Sequence, residues 1–261
     1  MKYVKYHYKT KVTFSNVIRS HFFLLRCTTQ DNDFQQVITE ECNVYPQISL
    51  HTDKDNFGNI VRSGYIEEMH DFFEFETLGE VKLSEPYLLK EELNRIFLYP
   101  SLYTYPDDSI IRLRKAILLN NNTSITDTVL KLSDVLYRIL EYSPNTTTIH
   151  TTASEALKLG RGVCQDFAHL MIALCRSAGI AARYVTGFME GEGYTHAWVE
   201  YYENGYWKAI DPTHNHLIEM GYVKISHGRD FDDCSIERGI FTGIVDQKLE
   251  VQLSVGMNDC Q

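Results

Sequence analysis

The sequence predicts an α+β protein, and three observations carry that reading. Apolar and polar residues alternate from Tyr3 to about Leu83, the period of β-strands. Helical spacing takes over in the middle of the chain, and a period of two returns after Gly179. At 261 residues the chain is long enough for one large domain or two modest ones. The changes of period divide it into a β-rich N-terminal domain at 1–84, a helical connection at 85–150, and a core with C-terminal strands at 151–261.

Each element has a local cause. "YVKYHYKTKVTF", "SHFFLLRC", "QQVITEECNVYP" and "NIVRSGYIEEMHDFFEFETLGEVKL" read as strands, and the turn-rich "TDKDNFGN" as a hairpin connection. Pro86, Pro100 and Pro106 mark a boundary, with "KEELNRIF" as a short helix between them. "DDSIIRLRKAILLN" opens with acidic residues suited to a helix N-terminus. "TDTVLKLSDVLYRILEY" spaces Val129, Leu132, Leu136 and Leu140 three and four apart, while the polar "NNNTSITDT" before and into it reads as a loop. "TASEAL" carries a Thr or Ser N-cap with Glu155 behind it. After residue 180 come strands "AARYVTGFM", "YTHAWVEYY" and "WKAIDPT", with "EGEG" and "ENGY" as turns, and the tail ends in a further alternating strand.

Composition narrows the function classes. Lys and Arg number 25 against 35 Asp and Glu, a formal charge of -10, which disfavours nucleic acid or an anionic membrane as partner. No signal-peptide pattern opens the chain and no run of about 18 apolar residues interrupts it, so a cytoplasmic location is expected. Cys27, Cys42, Cys164, Cys175, Cys234 and Cys260 form no C-x-x-C pair, and they read as reduced thiols rather than zinc ligands.

The chemistry concentrates in "GRGVCQDFAHLMIALCRSAGI", residues 160 to 180. Gly160 and Gly162 permit a close approach, and Gly179 supplies a left-handed stop, so a helix is expected from Cys164 to Ala178. Cys164 then lies in the first turn, where the helix dipole and free N–H groups favour a thiolate and can hold an oxyanion. A two-residue turn at Asn204-Gly205 pairs Glu203 with Tyr206, which makes His196 and Asp211 diagonal neighbours on one sheet face, about 7 Å apart at Cα. An Asp can then hold one imidazole nitrogen while the other faces a nucleophile. A register shift of one residue would break that geometry. From the residues alone Cys164 is either a packing thiol or this nucleophile. Cys175 reads as packing, Asp166 as a dipole partner and His169 as a core hydrogen-bonding group; His214 and His216 lack a third placed ligand, so no metal is expected.

The blocks "GRGVCQDFAHLMIALCRSAGIAARYVTGF", "THAWVEYY" and "WKAIDPTHN" resemble the bacterial transglutaminase-like superfamily in residues, order and spacing. "MKYVKYHYKTKVTF", "DNFGN" and "EFETLGEVKL" are similar to the β-rich domain that precedes this core in bacteria, and "HGRDFDDCSIERGIFTG" to its C-terminal segment. The resemblance implies a papain-like, transglutaminase-like core in which a nucleophile helix packs on an antiparallel sheet. It implies Cys164 as nucleophile, His196 as general base and acid, and Asp211 as the orienting carboxylate. The Cys164 backbone N–H is the first oxyanion donor on this reading. Lys158 stands where papain-like proteases place a Gln, Gln165 lies on the wrong side of the nucleophile, and Tyr142 is the remaining candidate for a second donor.

The function expected is cysteine-dependent acyl transfer on amide bonds of a protein or peptide, by hydrolysis through a thioester. Nothing in the sequence marks a dedicated amine-acceptor site, and water is always present. An amine-accepting transamidase is the alternative, and a non-catalytic binding module on the same fold is a third. No cofactor is implied, and no acidic loop suits the calcium that some animal transglutaminases use.

Overall fold

A computed structural model describes residues 2–118, 123–191 and 193–259. Cys260, part of the expected polar loop and one residue of the "EGEG" turn lie outside the described residues. In chain order the strands are β1 (Lys2–Leu25), β2 (Gln35–Tyr45), β3 (His51–Lys54), β4 (Ile60–Ile66), β5 (His70–Leu83) and β6 (Leu89–Lys90). Helices α1 (Asp108–Ile117) and α2 (Ile125–Ile139) follow, then β7 (Glu141–Tyr142), α3 (Ala153–Leu159), β8 (Arg161–Gly162) and α4 (Cys164–Ser177). The second half holds β9 (Ala182–Met189), β10 (His196–Glu203), β11 (Tyr206–Asp211), β12 (His216–Leu217), β13 (Tyr222–Gly228), α5 (Phe231–Cys234), β14 (Glu237–Thr242) and β15 (Gln247–Asp259).

The first two expected strands are one. β1 runs unbroken, and the irregular stretch between them is absorbed by a register shift between Thr13 and Ile18 and by Ser20 at φ 52°. Such bulges bend a strand without ending it. Its first half pairs with β5 on one side and β15 on the other; its second half pairs with β4 and β14. The C-terminal strands thus complete the sheet that the chain begins, a pairing between the two ends of the sequence that local patterns do not encode. The expected hairpin at "TDKDNFGN" is present as β3 and β4.

Two other expectations change. "KEELNRIF" supplies only a single 3₁₀ turn, Arg95–Leu98, because Lys90 is already paired with Tyr206 in the core sheet. The polar loop ends earlier than its composition suggests: Ser124 caps α2 by accepting from the Asp127 N–H, so residues 125 to 128 are helical. The capping box at Thr152 and Glu155 forms as read.

A second sheet, ordered β12-β11-β10-β9-β13 with β6 beside β11, forms the centre. Its two faces are buried against different partners. Ala197, Val199 and Tyr201 of β10 join α4 and α2 in one apolar cluster. Trp198, Val185, Phe188 and Trp207 join the β1 sheet in another, where Phe188 packs between the rings of Tyr6 and Tyr8. This strict alternation follows from the period of a strand buried on both faces. Helix α4 is buried almost throughout, and the guanidinium of Arg176 fastens its C-terminal end by donating to the carbonyls of Phe97, Ala182 and Arg229. No helix among the described residues is long and apolar enough to cross a membrane.

Candidate active site

The head of α4 is set by two glycines and a carboxylate. Gly160 takes the left-handed conformation, φ 66°, that ends α3. At Gly162 a Cβ would stand 2.5 Å from Asp166 Oδ2, so only glycine lets the carboxylate fold back over the helix start. Asp166 there accepts from the Val163 N–H at 2.8 Å and from the Thr147 hydroxyl at 2.7 Å. Burial pushes its carboxyl up from the usual range, and the two hydrogen bonds oppose that. Val163 is the N-cap, and Cys164 is the first helical residue, half-buried and on the wall of a cavity. The Asp166 N–H donates to the Val163 carbonyl at 2.8 Å, whereas the N–H groups of Cys164 and Gln165, ahead of it, have no acceptor within the helix.

The sheet brings the other two groups. Asn204 and Gly205 both have positive φ, 54° and 88°, as a two-residue hairpin turn requires, and Glu203 pairs with Tyr206. The register runs on to Val199 opposite Ile210, which carries His196 and Asp211 to the same end of the sheet. His196 Nε2 lies 2.7 Å from Asp211 Oδ2, and Cys164 lines the same cavity as the imidazole, close enough to raise its pKa. With Nε2 engaged by the carboxylate, Nδ1 is the nitrogen left for the sulfur. Cys164, His196 and Asp211 therefore converge.

Asp211 is fully buried and densely held. Oδ2 also accepts from the Tyr222 hydroxyl at 2.8 Å and meets His214 Nδ1 at 2.8 Å, while Oδ1 accepts from the Thr213 N–H at 2.8 Å. Burial alone would raise this carboxyl, but the hydrogen bonds from His196 and His214, with that of Tyr222, outweigh it and hold the group far below the usual carboxylate range. On His196 burial disfavours the charged form, yet the hydrogen bond to Asp211 and the neighbouring Cys164 prevail and raise the imidazole to about 10. Trp198 lies beside the ring at 6.5 Å between centroids. Tyr222 and His214 have no local sequence signal for this role, because strand pairing and a turn, rather than spacing, bring them to Asp211.

His196, Asp211 and His214 place three potential ligand atoms within 4.8 Å of one another. A cation there would have to displace the hydrogen bonds that orient His196. His169 accepts from the Phe231 N–H at 3.1 Å, which ties α4 to α5, and burial lowers its imidazole to about 3, so it is neutral. Cys175 is wholly buried in the α4 core. Tyr142 is exposed and pairs with Gly162, two residues before the cysteine, but does not line the cavity; Gln165 does line it, with its amide donating to the Ile149 carbonyl.

A helix-headed cysteine facing a sheet-borne imidazole and carboxylate, on this α+β scaffold, defines a protein of transglutaminase-like fold. Residues 113–212 match the transglutaminase-like superfamily, and residues 4–82 the bacterial transglutaminase-like N-terminal region. The chain thus carries a transglutaminase-like core preceded by that N-terminal region. The solved structure of a candidate cysteine protease from Cytophaga hutchinsonii superposes with a TM-score of 0.78 at 25% identity, over 100% of this chain and 92% of that one. An uncharacterised protein of Mycobacterium leprae is 27% identical over 95% of this chain and 96% of its own length. One from Mycobacterium bovis is 34% identical over 48% of this chain and 45% of its own.

Proposed function

We propose that the protein is a thiol-dependent hydrolase of peptide or amide bonds. The observation that carries this reading is that Cys164 and His196 share the wall of one cavity of about 340 Å³, with Asp211 buried behind the imidazole and hydrogen-bonded to it; the cavity's size suits a substrate side chain and its flanking amides. Cys164 sulfur attacks the carbonyl carbon, forming a C–S bond as the C=O electron pair moves onto oxygen. The N–H groups of Cys164 and Gln165 hold that oxyanion; Tyr142, whose backbone pairs with Gly162, is our candidate for a second donor, a role that requires its exposed ring to turn toward the cavity. Collapse breaks the C–N bond, and the departing amine takes the proton from His196. Neutral His196 then accepts a proton from water as it attacks the thioester, and the acid is released with the thiol restored. Asp211 acts throughout by holding Nε2–H.

A peptide library incubated with wild type and with Cys164→Ala, in the presence of a fluorescent primary amine, tests the reading. Cleavage by wild type alone, with little amine incorporated, is expected. Cleavage that survives Cys164→Ala, or amine incorporation in place of cleavage, overturns it. Tyr142→Phe is expected to lower kcat about 10²-fold or more with KM little changed if the hydroxyl holds the oxyanion; an unchanged kcat removes Tyr142 from the mechanism.

A further inference from the structure

The cavity that opens at Cys164 is not walled by the core alone. Tyr8 and Thr10 of β1, Leu249 and Val251 of β15 and Glu237 of β14 form part of its lining, so the completed N-terminal sheet shapes the space in which a substrate would lie. Most of this wall is apolar or hydroxylic. Glu237 is its one acidic member, lodged near Tyr8.

No ion pair among the described residues answers that carboxylate. Among the described residues Glu237 has no cationic or hydrogen-bonding side-chain partner, and burial alone raises its carboxyl to about 7. Its neighbour Arg238 is turned to Asp232, 2.9 Å away. The hydroxyls of Thr10 and Thr186, both buried on the same cavity, lie beside those of Tyr8 and Tyr184 and face no charged group of their own. Glu237 is only partly buried, but a carboxylate set in a mostly apolar wall without an ion-pair partner is costly to retain in a fold that gains nothing from it. Its place on the wall that also carries Cys164 and His196 indicates that its partner arrives with a ligand.

We propose that Glu237 is a specificity-determining residue: it receives a positively charged side chain of the peptide whose amide is presented to Cys164, with Thr10 and Thr186 as accessory hydrogen-bonding groups. The inference rests on the nucleophile reading above and names the substrate class for it. A guanidinium or ammonium is the only common peptide side-chain chemistry that satisfies a carboxylate by charge and by hydrogen bonding together. The net charge of -10 adds long-range attraction for such a peptide.

Short peptidyl chloromethyl ketones provide the test, with arginine, norleucine or glutamate at either of the two positions preceding the electrophile. Arginine is chosen because a guanidinium does not serve as an acyl acceptor. The rate of modification at Cys164 is read by mass spectrometry, with iodoacetamide as the neutral control. Wild type is expected to favour the arginine probe over norleucine about tenfold or more at one of the positions. Glu237→Gln should bring that ratio near one while leaving the norleucine and iodoacetamide rates within about twofold, and Glu237→Lys should favour the glutamate probe.

A ratio near one in wild type, or a preference that survives Glu237→Gln, overturns the inference while rapid iodoacetamide labelling leaves the nucleophile reading standing. Slow, unselective iodoacetamide labelling is instead the failure of the nucleophile reading. In that event binding of fluorescent arginine and norleucine peptides to Cys164→Ala, with and without Glu237→Gln, reads the same ratio without a reacting sulfur. Equal binding of the two peptides overturns the inference there as well.

Discussion

At the scale of single residues, the site depends on how one carboxylate is held. Asp211 takes hydrogen bonds from His196, Tyr222 and the Thr213 N–H, so its charge is fixed in place before any substrate arrives. That preorganisation is what raises His196. A raised imidazole keeps its proton as pH increases and loses it only through about 10, so the acid form that the proposed amide cleavage requires persists across neutrality. Asp211→Asn removes the charged hydrogen-bond partner that does most to raise the imidazole, and the His196 pKa must fall. The alkaline limb of kcat/KM is therefore expected at lower pH in Asp211→Asn than in wild type, along with a large loss of rate from the wrong tautomer. A limb at the same pH in both proteins would show that Asp211 does not govern His196.

At the scale of elements, placement of the sulfur rests on the turn between α3 and α4. Gly162 has no room for a methyl group beside Asp166, so Gly162→Ala must shift either the carboxylate or the helix start. A loss of about 1–3 kcal/mol in urea unfolding is expected, with slower modification of Cys164; an unchanged midpoint and rate would contradict this. This element was legible in the sequence because its causes are local: glycines, a cysteine and an apolar helical run lie in one stretch. The hairpin register was legible for the same reason, since Asn204-Gly205 fixes which residues pair. The residues around them were not. Tyr222 reaches Asp211 from β13, and Glu237 reaches the cavity through strands paired with the opposite end of the chain. Those contacts depend on sheet assembly, which leaves no mark in the neighbouring residues. Strand patterning likewise concealed that "YVKYHYKTKVTF" and "SHFFLLRC" are one bent strand.

At the scale of the whole molecule, the core sheet is clamped between α4 and the N-terminal sheet, and a buried ionic group lies on the side of that second contact. Glu200 meets Arg183, the Tyr87 hydroxyl and Lys224 Nζ, the last at 2.8 Å, and Arg183 also reaches Glu91 at 2.6 Å. Burial would raise the Glu200 carboxyl, but Arg183 and Lys224 hold it down to about 2, so it remains charged under ordinary conditions. Glu200→Gln strands the buried Lys224 ammonium and leaves Arg183 with Glu91 alone, and a stability loss of about 3–5 kcal/mol is expected in denaturant melts; a change below about 1 kcal/mol would mean the network is not a unit. Such a clamp also explains how strands from both ends of the chain can wall a cavity whose nucleophile belongs to the middle. If His196, held by Asp211, activates Cys164, the imidazole must govern how fast the sulfur reacts, which is read from the alkylation rate of Cys164 by iodoacetamide at about pH 6 in wild type and in His196→Ala. Rapid modification in wild type and a fall of tenfold or more in His196→Ala is the predicted result. Equal rates in the two proteins would contradict it.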